Sequence, residues 1–126
     1  MKSSRARWAL IKSPKIFLSS KITSPKIKEA LEKAIALKVK LAETQRSVTD
    51  VNQQIKALTE DQARIRANME RVPNNSAPYQ RYLKKLDEQE TQIEGFQEQV
   101  RTLRRQEGEQ RQGFEAYLLS LNLDEQ

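Results

Sequence analysis

Ile65-Arg66-Ala67-Asn68-Met69-Glu70-Arg71-Val72-Pro73-Asn74-Asn75-Ser76-Ala77-Pro78-Tyr79-Gln80-Arg81-Tyr82 sets a breaker between two apolar patterns. Pro73 removes a backbone donor and disfavours helical geometry at Val72, and Asn74, Asn75, Ser76 and Pro78 complete a turn-forming cluster. Backward from Val72, the positions Met69, Ile65, Gln62, Leu58, Ile55, Val51, Val48, Thr44, Leu41, Leu37, Ala34 and Ala30 are separated by alternating steps of three and four. Forward from Tyr79, the series Tyr82, Leu86, Gln89, Ile93, Phe96, Val100, Leu103, Glu107, Gln110, Phe114, Tyr117 and Leu121 does the same. Each is a heptad seam.

The two seams mirror each other about the turn. Paired outward from Val72 with Tyr79, opposed positions keep a constant total of 151: Met69 with Tyr82, Ile65 with Leu86, Leu58 with Ile93, Ile55 with Phe96, Val48 with Leu103, Leu37 with Phe114. So short a connection forces neighbouring helices to lie antiparallel. The expected fold is therefore all-α, an antiparallel two-helix coiled-coil hairpin. A first long helix over 24–72, a turn over 73–78 and a second long helix over 79–123 follow a leader at 1–23. Ser24 suits the cap of the first helix and Pro25 its first position, with Glu29 and Glu32 near that positive end. Each arm of such a hairpin would be about 65 Å long. Gly95, Gly108 and Gly113 make the second arm the softer one.

Polar seam residues fall together. Gln62 lies opposite Gln89, and Thr44 opposite Glu107. Such layers cost stability but fix register, and they are read as structural. Away from the turn the apolar stripe widens: Ile27, Leu31 and Ile35 flank the first seam, and Leu118, Leu119 and Leu123 flank the second. One partner helix cannot cover that much apolar surface. Two readings stand for these six residues. Either the leader, through Trp8, Leu10, Ile11, Ile16, Phe17 and Leu18, folds back onto them, or they bind a protein partner or a second copy.

Composition limits the chemistry. The 126 residues include no Cys and no His, so there is no disulfide framework, no thiolate nucleophile, no imidazole acid/base and no ordinary zinc site. A phosphate-cradling glycine loop and a serine elbow motif are also missing. Pairs such as Asp87 with Glu90 and Glu94 with Glu98 read as helix surface. The chain is expected to be non-enzymatic, with no catalytic, cofactor-binding or metal-binding residue and no small-molecule substrate.

Charge is distributed unevenly. The net charge is +6, yet residues 1–26 carry seven basic side chains and no acid, leaving 16 basic and 17 acidic residues for the rest. A basic leader, with Lys2, Arg5, Arg7, Trp8, Lys12 and Lys15, precedes an almost neutral body. This leader, expected to be extended or partly disordered, is the candidate anchor for nucleic acid or an anionic membrane surface. The apolar run Trp8-Ala9-Leu10-Ile11 is cut short by Lys12, Pro14 and Lys15 and makes no convincing signal peptide, although a basic, acid-free leader also fits a transit peptide. No stretch approaches the roughly 18–20 apolar residues that span a bilayer, so the chain is expected to be soluble or peripheral.

Other helical hairpins fit less well. An RNA-contacting arm like that of seryl-tRNA synthetases needs a basic face, whereas the turn region is balanced in charge. A prefoldin-like subunit needs β-hairpins between its helices, and 73–78 leaves no room for them.

Ser24-Pro25-Lys26-Ile27-Lys28-Glu29-Ala30-Leu31, Asp61-Gln62-Ala63-Arg64-Ile65-Arg66-Ala67-Asn68-Met69 and Tyr79-Gln80-Arg81-Tyr82-Leu83-Lys84-Lys85-Leu86-Asp87-Glu88-Gln89-Glu90-Thr91-Gln92-Ile93-Glu94 together carry a family likeness. Over residues 16–123 the chain resembles the C-terminal coiled coil of bacterial proteins of unknown function that are similar to the mucoidy-inhibitor family. The run Gln62-x-Arg64-Ile65-Arg66-x-Asn68 is its most specific piece. The resemblance implies no enzymatic activity and no catalytic residue. Those proteins place a β-rich domain before the coil, and residues 1–15 do not match it. The resemblance thus implies a detached C-terminal piece whose open apolar end docks on the missing domain. Arg64, Arg66 and Asn68 are then candidate tip residues for a partner, or else ordinary charged shoulders of the seam at Ile65.

Overall fold

The computed structural model describes residues 24–121. Residues 1–23 and 122–126, and with them the leader residues Lys2, Arg5, Arg7, Trp8, Lys12 and Lys15 and the flanking Leu123, lie outside the described residues. Two helices, α1 (Pro25–Met69) and α2 (Ala77–Ser120), form an all-α helical hairpin.

Ser24 caps α1. Its Oγ accepts from the Ile27 N–H at 3.2 Å, and its carbonyl accepts from Lys28 at 3.0 Å. The side chain thus satisfies one N–H that has no helical partner, the Lys28 bond is the first of the helix itself, and Pro25, which has no N–H, occupies the first helical position. No acid lies in the first turn, since Glu29 sits one residue beyond it.

The helix ends three residues earlier than the seam predicts. The Arg71 and Val72 amides reach back only to Asn68 and Met69, at 3.1 and 3.3 Å, in the tighter three-residue pattern. Pro73 then supplies no donor with which to continue. Conversely, α2 starts two residues before Tyr79. Ser76 caps it: its Oγ accepts from the Tyr79 N–H at 3.3 Å and donates to the Pro73 carbonyl at 2.6 Å. Pro78, assigned to the turn from the sequence, lies inside the first turn of α2, where a missing N–H costs nothing.

The chain divides into two compact units. The open-end unit includes the described residues up to Gln45 and from Gln106 onward, and the turn unit covers Arg46–Arg105. In the open-end unit Ile27, Leu31, Ala34, Phe114 and Leu118 form a buried cluster with Leu37, Tyr117 and Leu121 packed against it. The Tyr117 hydroxyl donates to the Ala30 carbonyl at 3.3 Å, and the Lys33 ammonium lies 4.8 Å from the centre of its ring. In the turn unit Val48, Val51, Ile65 and Ile93 are buried. Every seam position on both helices is buried or half-buried. Ile65 is fully enclosed, and burial of such a side chain contributes about 1.5–3 kcal/mol.

Candidate interaction surfaces

The polar layer of the turn unit joins the helices through side chains that lie beside the seam as well as on it. Gln62 and Gln89 are both buried. Instead of bonding to one another, the Gln62 amide donates to Glu90 at 3.0 Å and the Gln89 amide donates to Asp61 at 2.6 Å. Each amide thus reaches the carboxylate next to the other glutamine. These are charge-assisted bonds, among the stronger kinds available to a neutral donor. Asp61 also accepts from Arg64 Nε at 2.8 Å, and Arg64 first and Gln89 second hold its carboxyl below the ordinary range. The Gln89 carbonyl oxygen is buried with no hydrogen-bond partner.

The candidate tip residues divide. Arg64 is bound along its own helix to Asp61, not across the hairpin. Arg66 is exposed and, with Met69, Glu70, Asn74, Tyr79 and Leu86, lines an open concavity of about 340 Å³. Asn68 is half-buried and does not line it. Glu70 and Asn74 escape a reading by seam, because neither belongs to one. Arg66 and Glu70 are of opposite sign, so the concavity is no phosphate cradle.

The second polar layer, in the open-end unit, differs from the first. Thr44 and Glu107 are both buried, but Thr44 Oγ1 donates to the Lys40 carbonyl at 3.2 Å, and Glu107 accepts from Arg111 at 3.0 Å. Both of these bonds stay within one helix. Around the exterior, ion pairs such as Arg101 with Glu98 likewise run along a single helix, the ordinary pattern of a solvated face.

The six flanking residues also divide. Ile27, Leu31 and Leu118 are core, Ile35 is half-buried, and Leu119 is 67% exposed. Leu123 lies outside the described residues. Among the described residues, the other exposed large apolar side chains are Val39 and Leu83.

No family model, curated protein or solved structure matches the chain. Its own surfaces are therefore what bear on function. Among the described residues, no three carboxylates are placed to hold a metal ion, and no helix is long and apolar enough to cross a membrane. The exposed faces offer alternating charges and isolated apolar side chains.

Proposed function

We propose that this chain is a non-enzymatic coiled-coil module serving a structural or protein–protein interaction role, a C-terminal piece of a larger protein of the kind it resembles. The observation that carries the reading is the use of the apolar side chains. Every seam residue is buried or half-buried, and the exterior retains mainly balanced charge. A helical pair of this kind presents a regular surface along each helix. The partner is a protein or a second copy, and of the six flanking residues it engages the exposed Leu119 and the half-buried Ile35 in the open-end unit, since Ile27, Leu31 and Leu118 are core.

Sedimentation and light scattering at two protein concentrations, in low and high salt, test this. Association through an apolar face persists in high salt and survives deletion of residues 1–23. A chain that stays monomeric at every concentration and captures no protein through this unit would remove the reading.

One further observation supports a second reading: seven basic residues and no acid in the first 26. A leader of this charge binds nucleic acid or an anionic membrane with strong salt dependence. Changing Lys2, Arg5, Arg7, Lys12 and Lys15 to Ala would abolish such binding and leave coil-mediated association unchanged.

A further inference from the structure

Two charges on α1 near the turn have no partner. Arg66 and Glu70 stand one turn apart, both exposed, and neither is paired with the other or with a further charged side chain among the described residues. Their order accounts for it. The ion pairs Asp61 with Arg64, Glu98 with Arg101 and Glu107 with Arg111 all put the acid first, the arrangement that a helix favours over a base followed by an acid. Arg66 and Glu70 also border the open concavity whose other walls are Met69, Asn74, Tyr79 and Leu86. Leu83 occupies on α2 the heptad position that Arg66 occupies on α1, directly after the second seam residue, so the two flank one side of the seam, and it is 42% exposed. One face of the turn unit thus combines an unpaired cation, an unpaired anion, a hollow with apolar walls and an apolar side chain left in water.

We propose that this face is the contact between two copies of the chain. In a two-fold contact every pairing occurs twice: residue i on one copy faces j on the other, and j faces i. A face of a single sign would repel its own copy, whereas Arg66 and Glu70 complement theirs. An axis perpendicular to α1 at Asn68, midway between the two charges, sets α1 antiparallel to the second copy's α1. Arg66 then meets the other Glu70, and Glu70 the other Arg66. Leu83 lies within about one helical turn of that axis, so the two Leu83 side chains come together at the centre, over the hollows, with the ion pairs outside them. Apolar at the centre and charged at the rim is the ordinary anatomy of an interface. The apolar contact supplies attraction, and the ion pairs fix orientation and exclude other registers. The patch is small, which places the dimer among weak, reversible contacts. It is separate from the open-end surface at Ile35 and Leu119, and either can exist without the other.

Sedimentation equilibrium of the full chain over a hundred-fold concentration range, at one ionic strength near physiological, tests this. Association through the open-end unit does not involve residues 66 and 70, so it is common to every variant and reads as a constant background. Arg66→Glu sets acid against acid and Glu70→Arg sets base against base, so each should weaken the contact at least tenfold. Mixed in equal amounts, the two variants should restore it to within a few-fold of the parent, because each position 66 then faces an opposite charge at position 70. Restoration on mixing also shows that both variants are folded. Leu83→Ser should weaken the contact several-fold while helical circular dichroism holds. A parent that stays monomeric overturns the proposal. So do single variants or a Leu83→Ser chain that associate as the parent does, and so does a mixture that stays as weak as its components.

Discussion

Ser76 does at the turn what Ser24 does at the start of α1. Each offers its Oγ to an amide three residues ahead, at 3.3 Å and 3.2 Å. Ser24 followed by Pro25 is legible as a cap because the proline falls at the first helical position. Ser76 is not, because Pro78 stands one residue further on and sits among turn formers. The physical rule is the same at both places: a proline in the first turn gives up an N–H that had no helical acceptor. Ser24→Ala and Ser76→Ala should each lower the unfolding free energy by about 1 kcal/mol. Ser76→Ala should be the more damaging, since that hydroxyl also ties the turn to the Pro73 carbonyl. Urea unfolding followed by circular dichroism checks this. Equal or negligible losses would mean that water replaces the caps without cost.

At the scale of the elements, the seams are fully legible. Steps of three and four locate the inward stripe of both helices, and the structure buries or half-buries each of those positions. The partners of the polar side chains are not legible. Heptad arithmetic places Gln62 opposite Gln89, but it says nothing of rotamers, and both amides turn aside to the acids Glu90 and Asp61. Nor can a seam foretell that Leu118 is enclosed and Leu119 wet, since neither is a seam position. The glycines of α2 are a cleaner case. Gly95, Gly108 and Gly113 all have ordinary negative φ, and a Cβ built at any of them meets nothing within 4 Å. Their conformational freedom is therefore not used in the folded chain and only raises the entropy lost on folding. Changing each to Ala should raise the unfolding free energy by about 1 kcal/mol, with nearly additive effects in the triple variant, read from urea midpoints at constant slope. A destabilising Gly108→Ala would mean that the half-buried site is needed by a surface that docks there.

For the molecule as a whole, the question is what holds one helix to one register against the other. Apolar seam residues do it poorly, because a shift of one heptad again sets apolar beside apolar. In the turn unit that shift would place Gln62 against Phe96 or Tyr82, and Gln89 against Met69 or Ile55, stranding two buried amides. The layer at Gln62 and Gln89 therefore penalises slippage, although it contributes little net stability itself: its bonds replace bonds to water, and the Gln89 carbonyl has no partner. Replacing both glutamines with leucine should raise the unfolding free energy by on the order of 1 kcal/mol, because buried apolar area is gained and the two acids return to water. Specificity should fall at the same time. A cysteine pair at Ile55 and Phe96, opposed in the native register, should close almost completely within one chain in the parent and less completely in the Gln62→Leu/Gln89→Leu background. Loss of stability with unchanged crosslinking would show that the amide–carboxylate bonds are a net stabilising link and that register is set by the turn alone.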